Sequence, residues 1–383
     1  MGKVIQMKKR LAAWFLTAVV LAGAMLTGCS SSKKGTASSP ASASATNGKK
    51  APSVVFVAGQ TSDKSLLESA ANGLRLIESE YGCKTKIVEY GSDTTKMEPA
   101  LEDVSDGEWD IVLVGTFSSV EPLEKVAANH PDQKYIIFDT LMDYSDGKNA
   151  NVYSMNYKGN EGAFLAGALA SMVTTSDMPK ANPEKVVGWI GGLDITLIND
   201  FVLGFIQGAA EVDPEVKTSV AYVGSFDDPA KGKEMAKVLY DSGCDIVYNG
   251  AAQSGLGVLD AAKEAQKYAI GTDSDQAMIF KDDPDKANMI LTSQMKRVDN
   301  TVRIAVEKYM DGTLQFGTGE TFGIKEGAIG LSDNEFYQKN VPEEFRDRIK
   351  ELEQKVLDGE IIVDTAYGLE DSVIKEKIAA ARP

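Results

Sequence analysis

Histidine is almost absent: His130 is the only one in 383 residues, and it falls at the end of a predicted helix in AANHPDQ. With no histidine beside a candidate nucleophile, the pattern argues against a Ser-His-Asp or Cys-His relay. Cysteine is nearly as scarce, limited to Cys29, Cys83 and Cys244. No Cys/His cluster is present to hold zinc, and no GxxxxGK[ST] loop is present to cradle a phosphate. No cofactor or metal is therefore expected. Positive charge is in deficit, since 40 Lys and Arg face 56 Asp and Glu for a formal net charge of −16. A surface of that sign repels phosphate backbones, which argues against a nucleic-acid polymer as partner. A single nucleoside carries no phosphate and stays open.

Long hydrophobic runs are missing too. The apolar stretch 11–25 is shorter than the roughly 20 residues that a membrane span needs. It follows Lys3, Lys8, Lys9 and Arg10 and leads into Leu26-Thr27-Gly28-Cys29, an arrangement of basic, apolar and small residues that reads as a leader. Those last four residues resemble the lipobox of bacterial lipoproteins. The resemblance implies a signal peptide, 1–28, cut before Cys29, whose thiol would carry lipid and hold the protein at the extracytoplasmic face of the cell membrane. An uncleaved signal anchor is the other reading. Residues 29–52 are small, polar and lysine-rich, a flexible tether that cannot bury enough apolar area to order itself.

What the chain has in quantity is alternation. Between Lys185 and Lys233 two short β-rich apolar runs, 186–190 and 218–223, each stop at Gly or Ser before a segment with apolar residues at helical spacing. The same grammar begins at Ser53. Strands at 54–57, 86–89, 110–115 and 135–138 interleave with helices at 63–81, 97–105 and 121–129. Further strands at 244–248 and 268–271 continue it. This is the pattern of parallel α/β sheets, and the length suits two doubly wound lobes with separate cores. The first lobe is expected to comprise 53–156 plus about 276–322, and the second 157–275 plus about 323–383. Hinge crossings then fall near Asn156, Asp275 and Gly323. Cys83 and Cys244 lie in different lobes, so both are expected as free, buried thiols.

In such sheets ligands sit outside the carboxyl ends of the strands. Asp139, Phe226 and Asp273 each fall at such an end, and the turn 249–255, with Gly250 in it, is small enough for close approach. Asp63 is equally explained as a helix cap, and Lys296, beside Arg297, as a surface charge.

The segments VGWIGGLDITLINDFVLGF, YVGSFDDPAKGK, SGLGVLDAAKE, YAIGTDSDQ and ILTSQMKRVD resemble, in that order, signatures of the basic membrane protein family. These are lipoprotein substrate-binding components of ABC transporters, known as purine nucleoside receptors. The likeness covers roughly Ser53 to Gly368. It implies a type I periplasmic-binding-protein fold, two α/β lobes joined by a hinge with the ligand enclosed between them. It also implies that Asp273 accepts from ribose hydroxyls, Lys296 reaches the ligand, Asp139 contacts the base and Phe226 packs a ring on the ligand, with Gly250 in the adjacent turn. The amino-terminal segment departs from the family's D-D-K-S-F-N. Here it reads Ser62-Asp63-Lys64-Ser65-Leu66-Leu67, and Val57 or Ala58 stands where an earlier aspartate is usual. Asp63 and Ser65 keep the pattern and are expected on the ligand wall, whereas the aromatic face and the amide are lost.

The expected function is therefore a lipid-anchored receptor that captures a nucleoside, a purine by resemblance, through hinge closure and presents it to permease and ATPase subunits. The altered wall keeps a second reading, a receptor for a sugar or another small polar metabolite. An enzyme acting on a nucleoside is a third reading that would need a carboxylate as general base.

Overall fold

The computed structural model describes residues 50–383, so the leader, Cys29 and nearly all of the tether lie outside the described residues. In chain order the first strands are β1 (Ser53–Ala58), β2 (Lys84–Glu89), β3 (Ile111–Gly115), β4 (Tyr135–Phe138), β5 (Val152–Tyr157) and β6 (Val186–Gly191). The rest are β7 (Lys217–Tyr222), β8 (Cys244–Gly250), β9 (Tyr268–Asp273), β10 (Ile290–Lys296), β11 (Thr318–Phe322) and β12 (Ile329–Leu331). They form two six-stranded sheets, one in the order β11-β5-β4-β3-β1-β2 and the other β12-β10-β9-β8-β6-β7. Every pairing is parallel except β10 with β12.

The central strands are covered by helices on both faces, which is why they read as unbroken apolar runs rather than alternating ones. β3 (IVLVG) is buried at all five residues, whereas β2 (KTKIVE), at the sheet edge, exposes Lys84 and Lys86. The charges keep that edge from pairing with another chain. Helix Leu66–Tyr81 buries Leu66, Ala70, Leu74 and Ile77 on one stripe. It starts at Leu66 rather than Asp63 because the Asp63 carboxylate accepts from the backbone N–H groups of Leu67 and Glu68, each at 2.9 Å, and so occupies the cap. The Gly- and Ala-rich helix Gly159–Thr174 is buried nearly throughout and lies against helix Thr196–Val212. A Cβ on Gly208 would come 1.9 Å from the Phe164 carbonyl oxygen, so glycine there sets the closeness of the pair.

One boundary needs correction. Residues 276–296 were expected in the first lobe, but β10 pairs in parallel with β9 and therefore belongs to the second sheet. The middle crossing is at Arg297, not near Asp275. From Arg297 the chain enters helix Val298–Met310, where Asp299 and Val302 pack against Gly73 of the first-lobe helix Leu66–Tyr81. β11 then joins the first sheet beside β5, and the chain returns through Gly323 to β12. The remaining crossing leaves β5 at Tyr157. Cys83 and Cys244 are both free and buried. Burial pushes their thiols up, to about 11 and about 12 respectively, which leaves them protonated and unreactive at neutral pH.

Candidate functional site

The carboxyl ends of the two sheets face each other across a cavity of about 400 Å³. Turns from both lobes contribute to it: Gly59 after β1, Tyr90 after β2, Phe117 and Asp139 after β3 and β4, and Phe226, Asp273 and Lys296 from the second lobe. Of the residues singled out in the sequence, Asp63, Asp139, Phe226, Gly250, Asp273 and Lys296 line the cavity.

Three of them form a buried ionic cluster. Lys296 Nζ lies 2.7 Å from Asp139 Oδ1 and 3.8 Å from Asp273 Oδ1, with Lys296 only 4% and Asp139 only 5% exposed. The ammonium is also within reach of the rings of Phe201 (5.1 Å to the centroid) and Tyr157 (5.7 Å). Burial works against the charged form of Lys296, but the Asp139 and Asp273 carboxylates outweigh it and hold its pKa above the ordinary lysine value. Burial likewise pushes the Asp139 carboxyl up, with Lys296 opposing the shift. Both aspartates close a strand in the left-handed region, at φ 64° for Asp139 and 63° for Asp273. That conformation is uncommon for residues other than glycine, though Asp tolerates it. The same device on β4 and β9 turns each carboxylate into the cleft from opposite lobes.

Ser65 is placed differently from the other candidates. Its side chain is fully buried and off the cavity wall, where its hydroxyl donates to Asp273 Oδ2 at 2.7 Å. The Ser274 hydroxyl in turn donates to the Ser65 carbonyl at 2.9 Å, and the Lys64 ammonium stands 4.8 Å above the Phe280 ring. All three contacts join the first lobe to the second, two of them through Ser65. The double change Ser65→Ala with Ser274→Ala removes both of these hydrogen bonds between the lobes, the charge-assisted one alone worth about 1.5–3 kcal/mol. Small-angle scattering of the ligand-free double variant should show a larger radius of gyration than the parent protein. Asp63 keeps both sequence readings, because it caps its helix through Ser65, Leu67 and Glu68 while standing on the cavity wall. Burial raises its carboxyl pKa, and the three N–H groups partly offset that.

The rest of the wall is aromatic. Phe117 and Phe226 approach from opposite lobes with centroids 6.5 Å apart and planes tilted by 57°. The Phe226 ring rests on Gly192, where a Cβ would stand 2.3 Å from it. Gly192→Val should overpack this contact by about 1–3 kcal/mol, which calorimetry would register as a lower Tm. Gly250 leaves room for Trp189, whose ring would lie 2.8 Å from a Cβ there. Trp189 stacks on Tyr248 with centroids 5.7 Å apart and planes within 6°, and its indole N–H, buried, has no partner among the described residues. Trp189, Phe117 and Phe201 were missed in the sequence. Trp189 sits inside an apolar strand and reads as plain core, whereas Phe117 follows β3 just as Phe226 follows β7 and the same rule would have found it.

Among the described residues no group of His, Cys, Asp and Glu could hold a metal ion, and no helix is long and apolar enough to cross a membrane. A family model for the PnrA-like ABC transporter substrate-binding proteins matches residues 50–366. The chain belongs to this family. Among its relatives, the ABC transporter nucleoside-binding protein BmpA of Lactococcus lactis subsp. cremoris is 32% identical over 377 residues, which is 93% of this chain and 99% of that protein. Basic membrane protein A of Borreliella burgdorferi is 31% identical over 330 residues, 85% of this chain and 91% of its own. Among solved structures, an ABC transporter solute-binding protein from Aeropyrum pernix K1 superposes with a TM-score of 0.73 at 28% identity, covering 86% of this chain and 98% of that one. The PnrA-like chain is thus a solute-binding component of an ABC transporter and not an enzyme, built on the type I periplasmic-binding-protein fold.

Proposed function

We propose that this PnrA-like protein captures a purine nucleoside by closure of its two lobes, at the extracytoplasmic face of a membrane to which lipid on Cys29 holds it, and delivers it to permease and ATPase subunits. The observation that carries the reading is the buried cluster Asp139, Lys296 and Asp273, which draws on both lobes and adjoins aromatic walls. Phe226, faced by Phe117, packs on the base. Asp273 and Lys296 take the ribose hydroxyls, and Asp139 reads a base edge. Asp63 and Gly250 complete the wall, and Ser65 fixes Asp273.

Two carboxylates against one ammonium leave the cluster net negative, so a phosphorylated ligand is repelled. Adenosine should raise the Tm of the purified protein, and AMP should leave it nearly unchanged. Leu66 and Leu67 on the first-lobe wall have no hydrogen-bonding side chain. Neither offers an aromatic face on which a base could stack, and that keeps, as the second reading, a sugar or other small polar metabolite. Thermal shift with adenosine, guanosine, inosine and free ribose separates the two, and mass spectrometry of co-purified ligand identifies the natural one. A shift with ribose alone would end the nucleoside reading. Cys29→Ala, followed by fractionation, should move the protein from the membrane to the soluble fraction.

A further inference from the structure

Beyond Asp139 the cleft does not end. A second cavity, of about 980 Å³, shares Phe117, Asp139 and Leu197 with the first, so the two chambers meet at those side chains. Its far wall is residues 361–367, and that segment is fastened by side chains of the two buried helices. Asn160 Nδ2 donates to the Asp364 carbonyl at 3.0 Å, Gln207 Nε2 donates to the Ile362 carbonyl at 3.1 Å, and the Asp200 carboxylate accepts from Ala366 N at 2.9 Å. The chamber is a built wall rather than an accident of a loose tail.

Its chemistry differs from that of the first chamber. Tyr157, Ile195, Leu197, Ile361 and Val363 make it largely apolar. Its charges are Asp139 and Asp200, together with Lys158 and Glu161, which neutralise each other at 3.0 Å. Asp139 is matched by Lys296 at 2.7 Å, so the sign of the remainder is that of the Asp200 carboxylate, which is negative. On β5, next to this wall, Asn156 is 7% exposed and its amide stands beside the Tyr367 hydroxyl, but Oδ1 has no hydrogen-bond partner among the described residues. A buried acceptor without a donor is costly to keep, and a ligand donor would relieve the cost.

We propose that the binding site has two chambers, and that its ligand carries a substituent that passes Asp139 into the second one, with an apolar stem and a terminal hydrogen-bond donor, an amine or a hydroxyl, that reaches Asn156. The proposal rests on the nucleoside reading for the head of the ligand and adds the class of its tail. An anionic tail is disfavoured by Asp200.

The test is titration calorimetry of the full chain in detergent with adenosine and with adenosines that bear a butyl or a 4-aminobutyl group at N6, at the 2′ oxygen or at the 5′ position. In one of the three series the aminobutyl compound should bind at least tenfold tighter than adenosine and tighter than its butyl partner. In Asn156→Leu the ratio of aminobutyl to butyl affinity should collapse toward one. Adenosine binding with no gain from any tail overturns the second chamber alone. Failure of adenosine and every tailed compound to bind overturns the nucleoside reading and the second chamber with it. A gain that survives unchanged in Asn156→Leu removes Asn156 as the recognising group and overturns the proposal as stated. Should that variant not fold, the comparison of butyl with aminobutyl in the parent protein decides, since equal affinities exclude a donor-reading chamber.

Discussion

Lys296→Met is expected to lower stability more than any other single change at the cleft, by about 3–5 kcal/mol, because it strands two inward-facing carboxylates without their counter-ion. Asp139 is 5% exposed and cannot turn to water, and Asp273 is held by Ser65 from behind. A loss of that size corresponds to a fall in Tm on the order of 10 °C. The pH dependence identifies the cause. Without Lys296 the Asp139 carboxyl, already pushed up by burial, holds its proton in the folded state at a pH where the unfolded chain, with Asp near 3.9, has lost it. Stability of the variant should therefore rise as pH falls toward about 4, and the deficit should be widest at neutral pH and above. In the parent protein the opposite limb applies to the lysine. Its pKa lies above the ordinary value, so its contribution is complete below about pH 10.4 and lost as pH rises through the folded value. Thermal unfolding of both proteins from pH 4.5 to 9 measures the gap. A constant gap would mean that the methionine acts through packing and that the cluster is not what holds the lobes.

The architecture was legible because buried parallel strands leave a strong trace. The runs 54–57, 111–114 and 186–190 are apolar at every position and end at small or acidic residues, and each became a central strand ending at the cleft. β10 was misassigned for a physical reason: its extended character is local, but its pairing with Ala269–Asp273 is a contact that no spacing encodes. β11 left almost no trace, since Thr318, Gly319 and Glu320 are exposed on an edge and show no alternation. At the site, residues at a strand's carboxyl end or in the turn after it could be read off, and Asp139, Phe226 and Asp273 did come together around one cavity. Ser65 could not be placed this way. A serine ahead of a helix looks the same in sequence whether it faces a ligand or, as here, turns inward to bind Asp273. Trp189 was hidden by the opposite problem, a core-like position whose ring edge reaches the cavity only because Gly191 and Gly250 have no side chains in its way.

Asp273→Asn should weaken binding of adenosine by one to two orders of magnitude, the effect of losing one hydrogen bond to a charged group at about 1.5–3 kcal/mol. Asparagine is the informative substitution because it fits the same volume and tolerates the left-handed φ of 63°. Alanine would add backbone strain and blur the result. Asp273 nonetheless has two duties, one toward the cavity and one toward the Ser65 hydroxyl at 2.7 Å. Ser65→Ala separates them, since it removes only the link between lobes. If Ser65→Ala costs as much affinity as Asp273→Asn, closure accounts for the whole effect and the carboxylate does not touch ligand. If it costs several-fold less, the remainder belongs to the ligand contact. A further consequence concerns selectivity. In Asp273→Asn, Lys296 faces Asp139 alone at 2.7 Å, so the cluster becomes neutral instead of net negative. Discrimination of adenosine over AMP should then narrow, because the repulsion that excludes phosphate is reduced while the lysine stays in place. An unchanged affinity for adenosine together with an unchanged exclusion of AMP would take Asp273 out of the site.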